Sequence, residues 1–104
     1  MIDVGYITFK EEQYPVRLSY RAIKNIRART GKGIEMAEGD MAMYETILYY
    51  SLVSGHKYTD TVMKLTEEQM EDVLDECFYE FVKILPQFFP NPVEEPDAKK
   101  KKSP

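Results

Sequence analysis

The chain has 104 residues, 43% of them hydrophobic, with a net charge of −4, one cysteine, one histidine and no tryptophan. That length serves one domain with one core, and the single Cys77 excludes an internal disulfide and fits a reducing cytosol. The acidic balance argues against general nucleic-acid affinity, the few cysteines and histidines against a structural zinc site, and short apolar runs such as Ile47 to Tyr50 against a membrane span.

In chain order, residues 4–18 read as a β-hairpin. Val4, Tyr6, Ile7 and Phe9 form a β-prone run, Lys10 to Gln13 a polar turn, and Tyr14 to Leu18 the return. Pro15 restricts the second run to an edge strand. The opening MIDVGYITFKEE lacks the basic-then-apolar order of a secretory signal.

A first helix is predicted from about Tyr20 to Arg29, capped by Ser19 and closed by Gly31 or Gly33. Ile23 and Ile26, helped by Tyr20 and Ala22, give it a narrow apolar stripe, and its other face is basic. A second helix is predicted from about Met41 to Ser54, with Asp40 as cap and Gly55 as stop. It is apolar nearly all round, which marks it as the central helix. Its one internal charge, Glu45, either points out at the first turn or pairs with an arginine of the first helix. The third helix has the clearest signal. Thr66 opens T-E-E-Q, a capping box with Gln69. Met70, Val73, Leu74, Cys77, Phe78, Phe81, Ile84 and Leu85 then recur at helical spacing, and Pro86 ends the run.

Residues 90–104, PNPVEEPDAKKKKSP, bury too little apolar surface to offset their ordering entropy. The expected fold is mainly α (α+β): a three-helix domain with a small N-terminal β-hairpin over residues 1–89 and a disordered C-terminal tail over 90–104.

Charge is split along the chain. From Gln13 to Ile34 there are six basic residues and no acid; from Leu65 to Val82 there are seven acids and no base. Two opposed patches suggest head-to-tail self-association, with Arg17, Arg21 and Arg27 facing Glu68, Asp72 and Asp75. The alternative is internal: the first helix packs beside the third, and the charges flank that seam. Tyr44, Tyr49 and Tyr50 cannot all face one small core, so they are candidate partner contacts. Phe88 and Phe89, just past the third helix, are a second candidate set; the alternative is that they fold back over the core.

No catalytic residue is expected, and no cofactor or metal. Glu71, Asp75 and Glu76 read as a solvated helix face with no metal ligand or histidine beside them. His56 reads as a cation at the C-terminus of the second helix, and Cys77 as an inert core residue. The G-K-G at 31–33 has neither P-loop nor dinucleotide spacing.

The segments YPVRLSYRAIKNIRARTG, MAMYETILYYSLVSGHK and LTEEQMEDVLDE follow a short hairpin and precede a charged end. In that order they resemble the short tail assembly chaperones of long-tailed (siphovirus-type) bacteriophages and prophages. The resemblance covers roughly residues 4–89. It implies a non-enzymatic protein of the bacterial host cytoplasm that binds the tape-measure protein, keeps it soluble and is absent from the mature virion. It also implies self-association, and a frameshift-extended form that recruits the tail-tube protein. Lys99 to Lys102 are encoded by an A-rich run, which resembles the slippery sites of this family. The rival readings are a small nucleic-acid-binding regulator using the basic helix 20–29, and a structural head–tail connector or tail component.

Overall fold

The computed structural model describes residues 2–33 and 40–88. The predicted tail and Phe89 lie outside them. Among the described residues are a two-stranded antiparallel hairpin, β1 (Gly5–Phe9) and β2 (Glu12–Val16), and three α-helices, α1 (Tyr20–Thr30), α2 (Met41–Thr59) and α3 (Met70–Ile84). No helix among them is long and apolar enough to cross a membrane.

The hairpin turn is shorter than the polarity of Lys10 to Gln13 suggests. Only Lys10 and Glu11 form it, both left-handed with φ of 51° and 68°, and Glu12 pairs with Phe9. Positive φ at both central residues is the backbone of a two-residue primed turn, which matches the twist of the strands but favours Asn-Gly. Pro15 stands opposite Tyr6, in the alternate pair whose N–H groups point out of the ladder, so its missing donor removes no strand bond.

A helix bonds to each edge of the hairpin. On the β1 side, two carboxylates of α3 accept backbone N–H bonds: Thr8 donates to Glu80 at 2.9 Å and Lys10 to Glu76 at 2.7 Å. On the β2 side, Arg17 N donates to the Ser51 carbonyl of α2 at 3.0 Å. Gly55 lets the two backbones meet there. A Cβ at Gly55 would stand 2.8 Å from the Val16 nitrogen and closer still to the Pro15 carbonyl. The expectation that Gly55 stops the helix is therefore corrected. It lies inside α2 because nothing larger fits against β2, and the helix runs on to Thr59. The stop is Asp60, left-handed at φ 59°, with its N–H returned to the carbonyls of His56 and Lys57.

The remaining caps follow the sequence. Ser19 accepts from Ala22 N at 3.1 Å, and Gly31 at φ 74° returns its N–H to Arg27. Asp40 holds the N-cap position of α2 without a side-chain cap bond; its carboxylate pairs with Lys32 at 2.8 Å. Thr66 and Gln69 form the capping box over a 3-10 turn, Glu67–Gln69, that feeds α3. At Cys77 the backbone leaves helical geometry (φ −128°, ψ 26°), so α3 is kinked. Past α3 a second 3-10 turn, Leu85–Phe88, is tied to the N-terminal segment by Ile2 N on the Gln87 carbonyl at 2.8 Å.

The core gathers one stripe from each element: Ile7 of β1, Val16 of β2, Ile26 of α1, Ile47, Leu48 and Leu52 of α2, and Met70, Val73 and Phe81 of α3, all fully buried. Each such side chain contributes about 1.5–3 kcal/mol relative to exposure. α2 is central, packed by α1, β2 and α3. Glu45 points into solvent on it.

Two substitutions test this frame with opposite sign. Gly55→Ala overpacks the α2–β2 contact and lowers stability by about 2–3 kcal/mol, read as a fall in melting temperature of roughly 10–20 °C. Glu11→Gly relieves the left-handed turn position and raises stability by about 0.5–1 kcal/mol, read as a higher urea midpoint with an unchanged m-value.

Candidate functional site

The three tyrosines of α2 singled out by the sequence are half-buried and pack against the core. Tyr44 meets Phe78 edge-on at 5.3 Å, and Tyr49 meets Tyr50 in the same way at 5.3 Å. The Tyr50 hydroxyl also accepts from Arg29 at 3.2 Å. Phe88 is 7% exposed and belongs to the core. It folds back because the Leu85–Phe88 turn is pinned to the N-terminal segment, so it offers no free contact surface.

The internal alternative, the first helix packed beside the third with the charges flanking their seam, is not the packing found. α1 packs on α2, and one bridge, Arg29 to Glu67, joins the basic segment to the acidic one among the described residues. Arg21, Arg27, Glu68, Asp72 and Asp75 are exposed. Arg17 is half-buried with its guanidinium over the Tyr58 ring at 4.4 Å, a cation–π contact.

The large apolar side chains that do stand in solvent include Tyr20 and Tyr79, each 81% exposed, Val62 at 78% and Met41 at 62%. With Tyr6, Val53 and Tyr58 they border three grooves. The first, about 620 Å³, runs between the hairpin and the end of α2; Tyr14, Pro15 and His56 line it, Tyr6 and Val62 stand at its rim, and its charges are mixed (Glu12, Asp60, Lys64). The second, about 720 Å³, lies between α1 and α2 and is basic, with Arg17, Arg21 and Lys57 around Tyr20 and Tyr58. The third, about 340 Å³, lies between the start of α2 and α3 and is acidic, with Glu45, Glu71 and Asp75 around Met41 and Tyr79.

Some of these residues carried a readable signal. Tyr79 is out of phase with the Met70–Val73–Cys77–Phe81 stripe and so belongs on an outer face. Tyr20 corrects the expectation that it helps the apolar stripe of α1: it lies across the helix from Ala22 and Ile26 and stands in solvent. Val62, in the polar stretch between α2 and α3, carried none.

His56 corrects another expectation. It is not a solvated cation at a helix end. It is 7% exposed, its Nδ1 shares a hydrogen bond with the Thr61 hydroxyl at 2.8 Å, and its Nε2 has no partner. Tyr14 meets it edge-on at 6.3 Å. Burial holds its imidazole below the ordinary range. The Tyr14 hydroxyl, donating to Glu12 at 2.8 Å, is held above its ordinary range, first by that bond and then by burial. Cys77 is buried and donates to the Val73 carbonyl at 3.1 Å. Its thiol is pushed up to about 11 by burial first, then by Glu80 and Glu76, which fits a core side chain and not a nucleophile.

The sign of the His56 effect follows from linkage. Below about pH 6.5 the unfolded chain takes up a proton that the folded chain refuses. The stabilisation is whole above that pH and is lost as pH falls through the window beneath it. The urea midpoint is expected to be lower at about pH 5.5 than at about pH 7.5, and His56→Gln to flatten this part of the profile. An unchanged midpoint in the parent chain contradicts the buried neutral ring.

No protein-family model matches the chain, and comparison with curated proteins and with solved structures finds no match for it either.

Proposed function

We propose that this chain is a tail assembly chaperone of a long-tailed phage or prophage. In this reading it is a non-enzymatic protein of the host cytoplasm that binds the tape-measure protein, keeps it soluble and does not remain in the mature virion. The observation that carries the reading is the groove between the hairpin and the end of α2. Tyr6 and Val62 project from its rim, its floor is Tyr14 and Pro15, and its charges are of mixed sign. Such a surface suits the apolar stripe of a partner helix, docked helix-in-groove, without selecting one charge pattern. A long helical client presents many such stripes and aggregates through them until the tail tube covers them. The order of elements, from hairpin through basic helix and apolar helix to acidic helix, supports the same reading through the family resemblance. A frameshift-extended product carrying a tail-tube-binding domain belongs to the proposal and requires a slippery heptamer at the codons of Lys99 to Lys102.

Co-expression with the tape-measure protein of the same genome tests it. The client is expected in the soluble fraction only when this chain is present. Tyr6→Ser combined with Val62→Ser weakens client binding about ten-fold while leaving the melting temperature near that of the parent. A client equally insoluble with and without the chain refutes the proposal.

A further inference from the structure

We infer that copies of this chain associate head to tail, the basic groove between α1 and α2 of one copy taking the acidic α2–α3 face of the next. The two surfaces are alike in kind and opposite in sign. The groove sets Arg17, Arg21 and Lys57 around Tyr20, Val53 and Tyr58, with no acid in its walls. The face sets Glu45, Glu71 and Asp75 around Met41, Phe78 and Tyr79, with no base.

None of these six charges is in an ion pair among the described residues. Each surface therefore carries charge of one sign with no counter-charge in its walls, and an oppositely charged partner neutralises it. Tyr20 and Tyr79 are each 81% exposed. As rigid aromatics they offer large contact area at small entropic cost, ringed by charge, the usual arrangement of an apolar centre with a polar rim. Charge complementarity then sets the register of the two copies.

The surfaces share no residue. On α2, Met41 and Glu45 stand about 18 Å from Val53 and Lys57 along the axis and roughly a third of a turn around it. A contact that uses one surface leaves the other open, so association runs on past the dimer into a chain or a closed ring. This assignment replaces Arg27, Glu68 and Asp72 of the sequence expectation with Lys57, Glu45 and Glu71. It also gives the contact an aromatic centre that charge alone does not supply.

Sedimentation velocity on the full chain tests the inference. At low salt the mean mass is expected to climb past the dimer as concentration rises. It should fall back toward the monomer when salt is raised from about 0.1 M to about 1 M, which cuts the screening length from about 10 Å to about 3 Å. The variants R21E/K57E and E71K/D75K, altered only at exposed positions, should each need at least about ten-fold more protein to associate. Their equimolar mixture should recover association, because each reversed surface then meets a complementary one. A parent chain that stays monomeric or stops at the dimer overturns the inference, as do variants that assemble like the parent or a mixture that does not recover. Binding of duplex DNA in the groove by a chain that stays monomeric overturns it in favour of a nucleic-acid ligand. The outcome is separable from that of the chaperone test: assembly without client solubilisation refutes only the proposed function, and the reverse result refutes only this inference.

Discussion

The backbone of α2 meets the backbone of β2 at Gly55, with no side chain between them. A two-stranded hairpin alone is marginal in water, and its two open edges invite pairing with other chains. Here a helix takes up part of each edge. The approach at Gly55 brings the Arg17 N–H onto the Ser51 carbonyl, and Glu76 and Glu80 of α3 take the outward N–H groups of Lys10 and Thr8. The hairpin becomes a wedge between two helices that touch each other only modestly. Its inward residues, Ile7, Phe9 and Val16, complete the core that the three helices build.

The same contact creates the surfaces. Because α2 passes through Gly55 and does not stop there, its last turn carries Lys57 and Tyr58 to one groove and delivers Thr59 to Val62 to another. A helix ending at Ser54 has neither wall. At its other end α2 projects Met41 and Glu45 beside α3 and forms the acidic face. One long, nearly all-apolar helix thus spends its middle on the core and its two ends on three exposed grooves of different charge. A binding role needs that division, since a helix buried along its whole length has nothing to offer a partner.

The elements legible in the sequence are those fixed by local chemistry. The Ser19 cap, the Gly31 stop, the Thr66–Gln69 box and the Met70–Val73–Cys77–Phe81 stripe each depend on residues within a turn or two of one another. What could not be read depends on residues far apart in the chain. Gly55 looks like a helix stop until Pro15 is placed against it. Lys10 and Glu11 are poor residues for a primed turn, and the bond from Glu76 to the Lys10 N–H comes from 66 residues away. His56 reads as a helix-end cation, yet the hairpin and the Thr61 hydroxyl bury it as a neutral ring. The tyrosines show the same limit. Composition says that there are more than the core can hold, but only packing decides that Tyr44, Tyr49 and Tyr50 lean on it while Tyr6 and Tyr58 do not.

In the proposed reading the mixed-charge groove takes the client, and the two charged surfaces take neighbouring copies. Amide chemical-shift mapping tests that division most directly. The labelled chain, held monomeric at high salt, is titrated with an isolated helical segment of the tape-measure protein. The predicted result is a saturable set of shifts centred on Tyr6, Tyr14 and Val62, with Tyr20 and Tyr79 unmoved. Shifts centred on the charged surfaces, or no shifts at saturating segment, would contradict it.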